Sequence, residues 1–305
     1  MIAILGATGY IGRSLAREIS SSAAEPLVLF ARRPDALADA AWPGHVSIQP
    51  LDRFRAGEFD IVVNAIGAGA PSKVAALGPD ILGLTRIWDE RVLETMAAET
   101  GYVFLSSGAI YGTGFDRPVD EDSALSIPVN RLQSVSPYGL AKLYAEAGHR
   151  IRPDLHILDI RVFGYADISV PLASRFFLAD LVRSVARRET LTTSPDPMVR
   201  DYVGARELRA LIDCWRAAKR PNAALDVYSR APVDKQALLD LATSRYGLKI
   251  RIAEAAQSPT GAKPVFASSF RAAADIGYAP ARSSLDIVAD VLDEAARLGP
   301  EIGRH

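Results

Sequence analysis

Two residues at helical spacing and two adjacent arginines are the places where this 305-residue chain could do chemistry. In "SVSPYGLAKLYAE", Tyr138 and Lys142 lie four residues apart, so a helix puts them on one face. Ser136 is of N-capping type and Pro137 suits the first helical position, which presents Tyr138 at the helix start. A phenol near an ammonium can exchange a proton, because positive charge favours the phenolate and draws a group of pKa near ~10 toward working pH. A solvated helix face bearing both residues by chance is the plainer alternative, and position decides against it. The strand-like run "YVFLS" (Tyr102–Ser106) is followed by Ser107, which places serines at a strand's carboxyl end, where a cleft belongs.

The arginines close another apolar run. "LVLFARRPDA" (Leu27–Ala36) has strand character up to Phe30 and then carries Arg32 and Arg33. Near the N-terminus, "ILGATGYIGRSLA" sets Gly6, Gly9 and Gly12 between a first strand and a first helix. Spaced glycines alone are weak, since the chain has 22. Straight after the opening strand they permit a tight turn, close approach of backbone to a pyrophosphate, and close helix–strand packing. An ordinary strand–helix turn is the alternative. In a dinucleotide fold the second strand ends beside the adenosine ribose, where an acidic residue would mark NAD. No Asp or Glu precedes Asp35, so Arg32 and Arg33 suit a 2′-phosphate and NADP as cofactor, with NAD possible if the pair is merely solvated. Asp52 in "QPLD", where the third strand ends, could bond the adenine amino group or be an N-cap or loop aspartate.

These groups need a frame. Ile2–Leu5, Leu27–Phe30, Val46–Ile48, Ile61–Ile66, Tyr102–Ser106 and His156–Phe163 read as strands, alternating with amphipathic stretches clearest at Asp80–Glu99 and Pro137–Arg150. Apolar runs with little alternation suit strands buried on both faces, and strand–helix repetition implies a parallel sheet with helices on each side. The expected fold class is therefore α/β, a doubly wound Rossmann sheet with a smaller C-terminal lobe. Residues 1–165 are expected to form the dinucleotide domain, with 200–230 returning to it, and 166–305 to be mainly the substrate lobe. Helices are expected there at Ser174–Arg188, Ala205–Lys219 and Asp234–Tyr246.

Composition sets outer limits. Apolar residues make up 49% of the chain, enough for a sizeable core, and a net charge of −1 gives no global basic field for nucleic acid. The single cysteine, Cys214, excludes an internal disulfide and cysteine-based metal spacing, and reads as inert core. No metal site is expected. Neither a basic leader nor an apolar run of membrane-spanning length is seen, so a soluble cytoplasmic protein is expected.

Together, "GATGYIG", "SSGAIYG", "YGLAK", "MVRDYV" (Met198–Val203) and "SSFRAAADIGYAP" resemble the extended short-chain dehydrogenase/reductase family, in its nucleotide-sugar epimerase and reductase branch. The resemblance runs nearly end to end. It implies Ser107 as the catalytic serine, four residues before Tyr111, completing a triad with Tyr138 and Lys142. It adds Thr8, Tyr10 and Ile11 in the loop, and Ala65 and Gly67 around the end of the fourth strand, as cofactor contacts. Lys142 would also bond the nicotinamide ribose, and Ser107 would bond the substrate oxygen and steady developing charge. Arg200 would meet the diphosphate of a nucleotide sugar, a partner suited to guanidinium, unless it forms a structural pair with Asp201. In related folds, the helices expected at Asp80–Glu99 and Pro137–Arg150 join a partner's to make a homodimer.

The chain departs from the family in three places, one being the short segment between Phe163 and Ser174, which weighs against a large sugar nucleotide. Dehydrating members carry a Thr-Asp-Glu run where this one has "SSGAI", which argues against dehydration. Many epimerases place an asparagine where "RVFGYAD" has Gly164. The expected activity is NADPH-dependent reduction of a keto group on a nucleotide-activated deoxysugar, with Tyr138 as general acid/base. The alternatives are a nucleotide-sugar epimerase holding NAD(P), a reductase of a non-nucleotide ketone, and an NADP-sensing regulator. Intact Ser107, Tyr138 and Lys142 speak against the last.

Overall fold

The computed structural model describes residues 1–22, 25–38, 40–67, 74, 76–78, 80–112, 115–174, 176–253 and 264–302. Its frame is a parallel sheet of β1 (Ile2–Leu5), β2 (Leu27–Ala31), β3 (Val46–Pro50), β4 (Ile61–Asn64), β5 (Gly101–Ser107), β6 (Ile157–Val162) and β7 (Ala223–Asp226). The spatial order is β7-β6-β5-β4-β1-β2-β3, every neighbouring pair parallel. Every residue of β1, β2, β4 and β5 is buried, which is why those runs lack a polar alternation. Alternate side chains feed two cores. Ile2, Ile4, Leu27 and Leu29 pack with helices α1 (Tyr10–Ser22) and, later in the chain, Ala205–Ala217; Ala3, Leu5, Val28 and Phe30 face the side of α2 (Asp80–Thr95) and α3 (Pro137–Arg150).

Beyond β6 come α4 (Phe177–Arg187), α5 (Ala205–Ala217), α6 (Lys235–Tyr246) and α7 (Ser284–Leu298). Leu181, Val182, Leu238, Val288 and Leu292 of α4, α6 and α7 build a third core. Short strands stitch this lobe to the sheet: Gly164–Tyr165 pairs in parallel with Tyr202–Val203, and Val199–Arg200 lies between Val233–Asp234 and Val265–Phe266. Among the described residues, no helix is long and apolar enough to cross a membrane.

Several boundaries differ from the sequence expectation for local reasons. Strand β4 stops at Asn64 because its side-chain oxygen takes the Ile66 N–H at 3.1 Å, ending the ladder. Helix α2 ends at Thr95, whose hydroxyl turns back to the Arg91 carbonyl at 2.7 Å, and Thr100 then caps the turn into β5. Residue Ser174 belongs to a turn closed on the Pro171 carbonyl, so α4 begins only at Phe177. Lys219 and Arg220 have φ of 63° and 54°, which stops α5 at Ala217. Helix α7 has no counterpart among the expected helices, although a capping box announces it: Ser283 Oγ accepts the Asp286 N–H and Asp286 accepts the Ser283 N–H. Cys214 is half-buried on α5 and packs against the edge of the first core.

Candidate active site

At the end of β1 the chain turns through Gly6, whose φ of +76° disfavours any side chain. A Cβ there would lie 3.0 Å from Ala65 C and Ile66 N, so the ends of β1 and β4 nearly touch. Gly9 closes the turn on the Gly6 carbonyl at 2.8 Å, and a Cβ on Gly12 would fall 2.5 Å from that same oxygen. The three glycines thus let the turn pack tightly against the end of β4 at the N-terminus of α1. It lies where the strand order reverses between β1 and β4, the position at which doubly wound sheets take ligands.

Thr8 is exposed in this loop, and Tyr10 and Ile11 are half-buried. The Tyr10 hydroxyl is committed elsewhere: it donates to the Tyr165 carbonyl at 3.2 Å and accepts from the Asp167 N–H at 3.0 Å. Its side chain locks α1 to the segment after β6, while its backbone stays at the glycine turn. Arg32 and Arg33 directly follow β2, exposed and without an ion pair among the described residues. Asp52 is also exposed, and it lies inside a single 3-10 turn after β3 without capping it.

The expected triad converges at the carboxyl end of β5. Ser107 is the last residue of that strand, and its Oγ accepts the Ala109 N–H at 3.1 Å. The N-terminus of α3 meets it because Gly139 allows close contact: a Cβ there would sit 2.7 Å from the Ala109 carbonyl. Ser136 caps α3 by accepting the Gly139 N–H at 3.3 Å, with Pro137 in the first turn, as the sequence implied. Burial pushes the Tyr138 phenol above its ordinary pKa, and a hydrogen bond with the Ser107 side chain pulls the other way. Lys142 Nζ lies 5.9 Å from the Tyr138 ring centroid and donates instead to the Leu105 carbonyl at 2.7 Å.

Lys142 itself is almost fully buried, at 2% exposure. Burial lowers its pKa to about 8, against the opposing fields of Asp89, Asp159 and Glu146. A Cβ on Gly67 would lie 3.7 Å from Nζ, so the ammonium faces the loop after β4. Ser106, next to the catalytic candidate, donates to Glu146, which accepts three bonds from two nitrogens of Arg161. Arg161 also donates to the Tyr111 hydroxyl at 2.8 Å, and Tyr111 donates to Asp226 at 3.2 Å. This network ties the ends of β5, β6 and β7 together beneath the site.

Arg200 is half-buried on its short strand, and burial lowers its pKa. Its neighbour Asp201 accepts from the Ser229 N–H at 3.0 Å and from Ser284 Oγ at 3.2 Å, both on one oxygen, and no Arg200–Asp201 ion pair is found among the described residues. Arg200 is in register with Phe266, whose ring packs 5.1 Å from Phe163, and Phe163 covers Gly108 beside Ser107. That chain of contacts puts the strand of Arg200 on the side of the cleft where Ser107 lies.

Residues 2–151 match the model of the NAD dependent epimerase/dehydratase family. No curated protein matches the chain in sequence. In fold, the chain is similar to UDP-glucuronic acid 4-epimerase from Bacillus cereus in complex with UDP-glucuronic acid and NAD, with a TM-score of 0.75 at 16% identity over 97% of this chain and 99% of that one. It is likewise similar to MoeE5 in complex with UDP-glucose and NAD (TM-score 0.75, 20% identity, 97% and 98% covered). A third likeness is to RMD from Pseudomonas aeruginosa complexed with NADPH (TM-score 0.71, 17% identity, 97% and 99% covered).

Proposed function

We propose that the chain, whose residues 2–151 match the model of the NAD dependent epimerase/dehydratase family, reduces a keto group on a nucleotide-activated sugar with NADPH. The convergence of Ser107, Tyr138 and Lys142 at the carboxyl end of β5 carries this reading. The tight turn of Gly6, Gly9 and Gly12 at the N-terminus of α1, where a Cβ on Gly6 or Gly12 would run into backbone, fits the pyrophosphate of a dinucleotide. Arg32 and Arg33 would take a 2′-phosphate, and the Lys142 ammonium, facing Gly67, would hold the nicotinamide ribose. When bound, the dinucleotide supplies hydride to the carbonyl carbon.

The protein's own residues supply the proton. A phenol whose pKa burial has raised keeps its proton at neutral pH, which suits Tyr138 to donate to a ketone oxygen. Ser107, hydrogen-bonded to that phenol, also bonds the oxygen and steadies the charge that develops there. The Lys142 ammonium then stabilises the phenolate left behind. Arg200 meets the diphosphate. The similar structures hold UDP-glucose or UDP-glucuronic acid with NAD, or NADPH, which agrees with this substrate class and leaves epimerisation as the second reading.

Incubation with NADPH and a set of nucleotide-linked keto-sugars should show net NADPH oxidation. Tyr138→Phe should lose at least ~100-fold in turnover, the lower range for removing a general acid, while still binding NADPH. Near-normal turnover excludes Tyr138 as proton donor. Interconversion of sugar epimers without net oxidation replaces reduction by epimerisation.

A further inference from the structure

A second polar chain runs through the core behind Lys142, and the proton transfer from Tyr138 does not use it. It starts where the Ile66 N–H donates to Asn64 Oδ1, beside the loop after β4. Asn64 Nδ2 donates to the Tyr102 hydroxyl at 2.9 Å, and Tyr102 donates to Asp89 at 2.8 Å. His149 then bridges two carboxylates, with Nε2 2.8 Å from Asp89 and Nδ1 2.7 Å from Asp159. Arg150 closes the chain on the other Asp159 oxygen at 2.7 Å. Asn64, Tyr102, Asp89, His149 and Asp159 are all buried, and they come from β4, β5, α2, α3 and β6.

Stability alone is a poor reason for such a chain. Buried ion pairs are often matched by well-packed apolar residues, whereas here five elements contribute polar groups to one spot. The Phe104 ring links the chain to the site. Lys142 Nζ lies 4.2 Å from its centroid, and the His149 ring is 5.4 Å from it. Two cations against one ring in a buried region repel each other unless anions lie close to both. Asp89 and Asp159 are those anions: each raises the pKa of both Lys142 and His149.

We propose that Asp89 and Asp159, bridged by His149 and anchored through Tyr102 and Asn64, are positioning residues that keep the buried Lys142 ammonium charged and aimed at the crevice. The proposal rests on Lys142 serving the reductase site. The ionisable groups around Lys142 are Tyr138 and Glu146 on α3, Asp89 on α2 and Asp159 on β6. Around His149 they are Asp89, Asp159 and Tyr102. Removing either aspartate charge should therefore release the Lys142 proton at lower pH.

Full-length protein labelled with 13C at the lysine ε-carbons provides the test, with the Lys142→Met spectrum identifying the resonance. In the unaltered protein Lys142 should titrate with a midpoint near 8. Asp89→Asn and Asp159→Asn should each lower it by about one pH unit, the low end for loss of an opposite charge. Tyr102→Phe breaks the chain without removing charge, and should lower the melting temperature while leaving the midpoint in place. The two aspartates are tested separately, so a folding failure in one leaves the other to decide. An unmoved midpoint in a folded aspartate variant overturns the proposal and leaves the reductase reading intact, because the spectrum needs neither dinucleotide nor sugar.

Discussion

Replacing His149 by glutamine should flatten the pH dependence of stability between pH 6 and 8. The imidazole is fully buried, and burial by itself would strip its charge. The hydrogen-bonded carboxylates of Asp159 and Asp89 prevail and hold its pKa at about 9, above the ordinary 6.5. The unfolded chain releases this proton near 6.5 and the folded chain only near 9. The imidazolium therefore stabilises fully below the unfolded value, and that contribution fades as pH rises through the folded one. Between those two values each pH unit removes about 1.4 kcal/mol, so stability should fall by about 2 kcal/mol from pH 6 to 8. Above pH 8 Lys142 acts in the opposite sense, because its folded pKa of about 8 lies below the ordinary 10.5 and the unfolded chain binds the extra proton. Urea unfolding followed by circular dichroism at pH 6, 7 and 8 measures the slope. His149→Gln should be less stable throughout, by about 3–5 kcal/mol at pH 6, because two buried carboxylates lose their cation. Parallel slopes for the variant and the unaltered protein would refute a charged His149.

Two further outcomes concern cofactor and assembly. NADPH should bind better than NADH, and neutralising Arg32 and Arg33 together should remove about a ten- to hundredfold preference; equal binding by the unaltered protein dismisses the 2′-phosphate contact. Helices α2 and α3 expose Leu82, Ile87 and Tyr144, at 43%, 58% and 63%, on their outer sides, so a homodimer built on this face is expected. Light scattering that gives a monomer mass at micromolar concentration rules it out.

The doubly wound sheet was legible because its physics is local. Strands buried on both faces show as unbroken apolar runs, and Gly6, Gly9 and Gly12 stand at the one strand–helix turn that needs them. The Tyr138–Lys142 pair was legible because four residues on a helix fix a common face, and Ser136 and Pro137 mark that helix's start. The buried His149 chain left only half a signal. Asp159 and Arg161 interrupt the apolar strand "ILDIRV", and charges in a strand buried on both faces must have partners. Which partners they take depends on how α2 and α3 dock on β5 and β6. Asp89 and His149 are 60 residues apart, and no local pattern brings them together.

Gly164 shows how packing can decide what a substrate site is able to offer. From the sequence it marks only the absence of the asparagine that many epimerases place there. In the structure a Cβ at 164 would lie 2.6 Å from the Asp201 carbonyl and 3.0 Å from the Tyr202 ring. Any side chain would push the Tyr202–Val203 strand away from Gly164–Tyr165. That movement would pull Asp201 from Ser229 and Ser284, and would carry Arg200 with it. The glycine is therefore a condition for the close seating of the strand that carries Arg200. On the proposed function, position 164 supplies no side-chain amide, and the guanidinium of Arg200, held in place by this seating, meets the diphosphate.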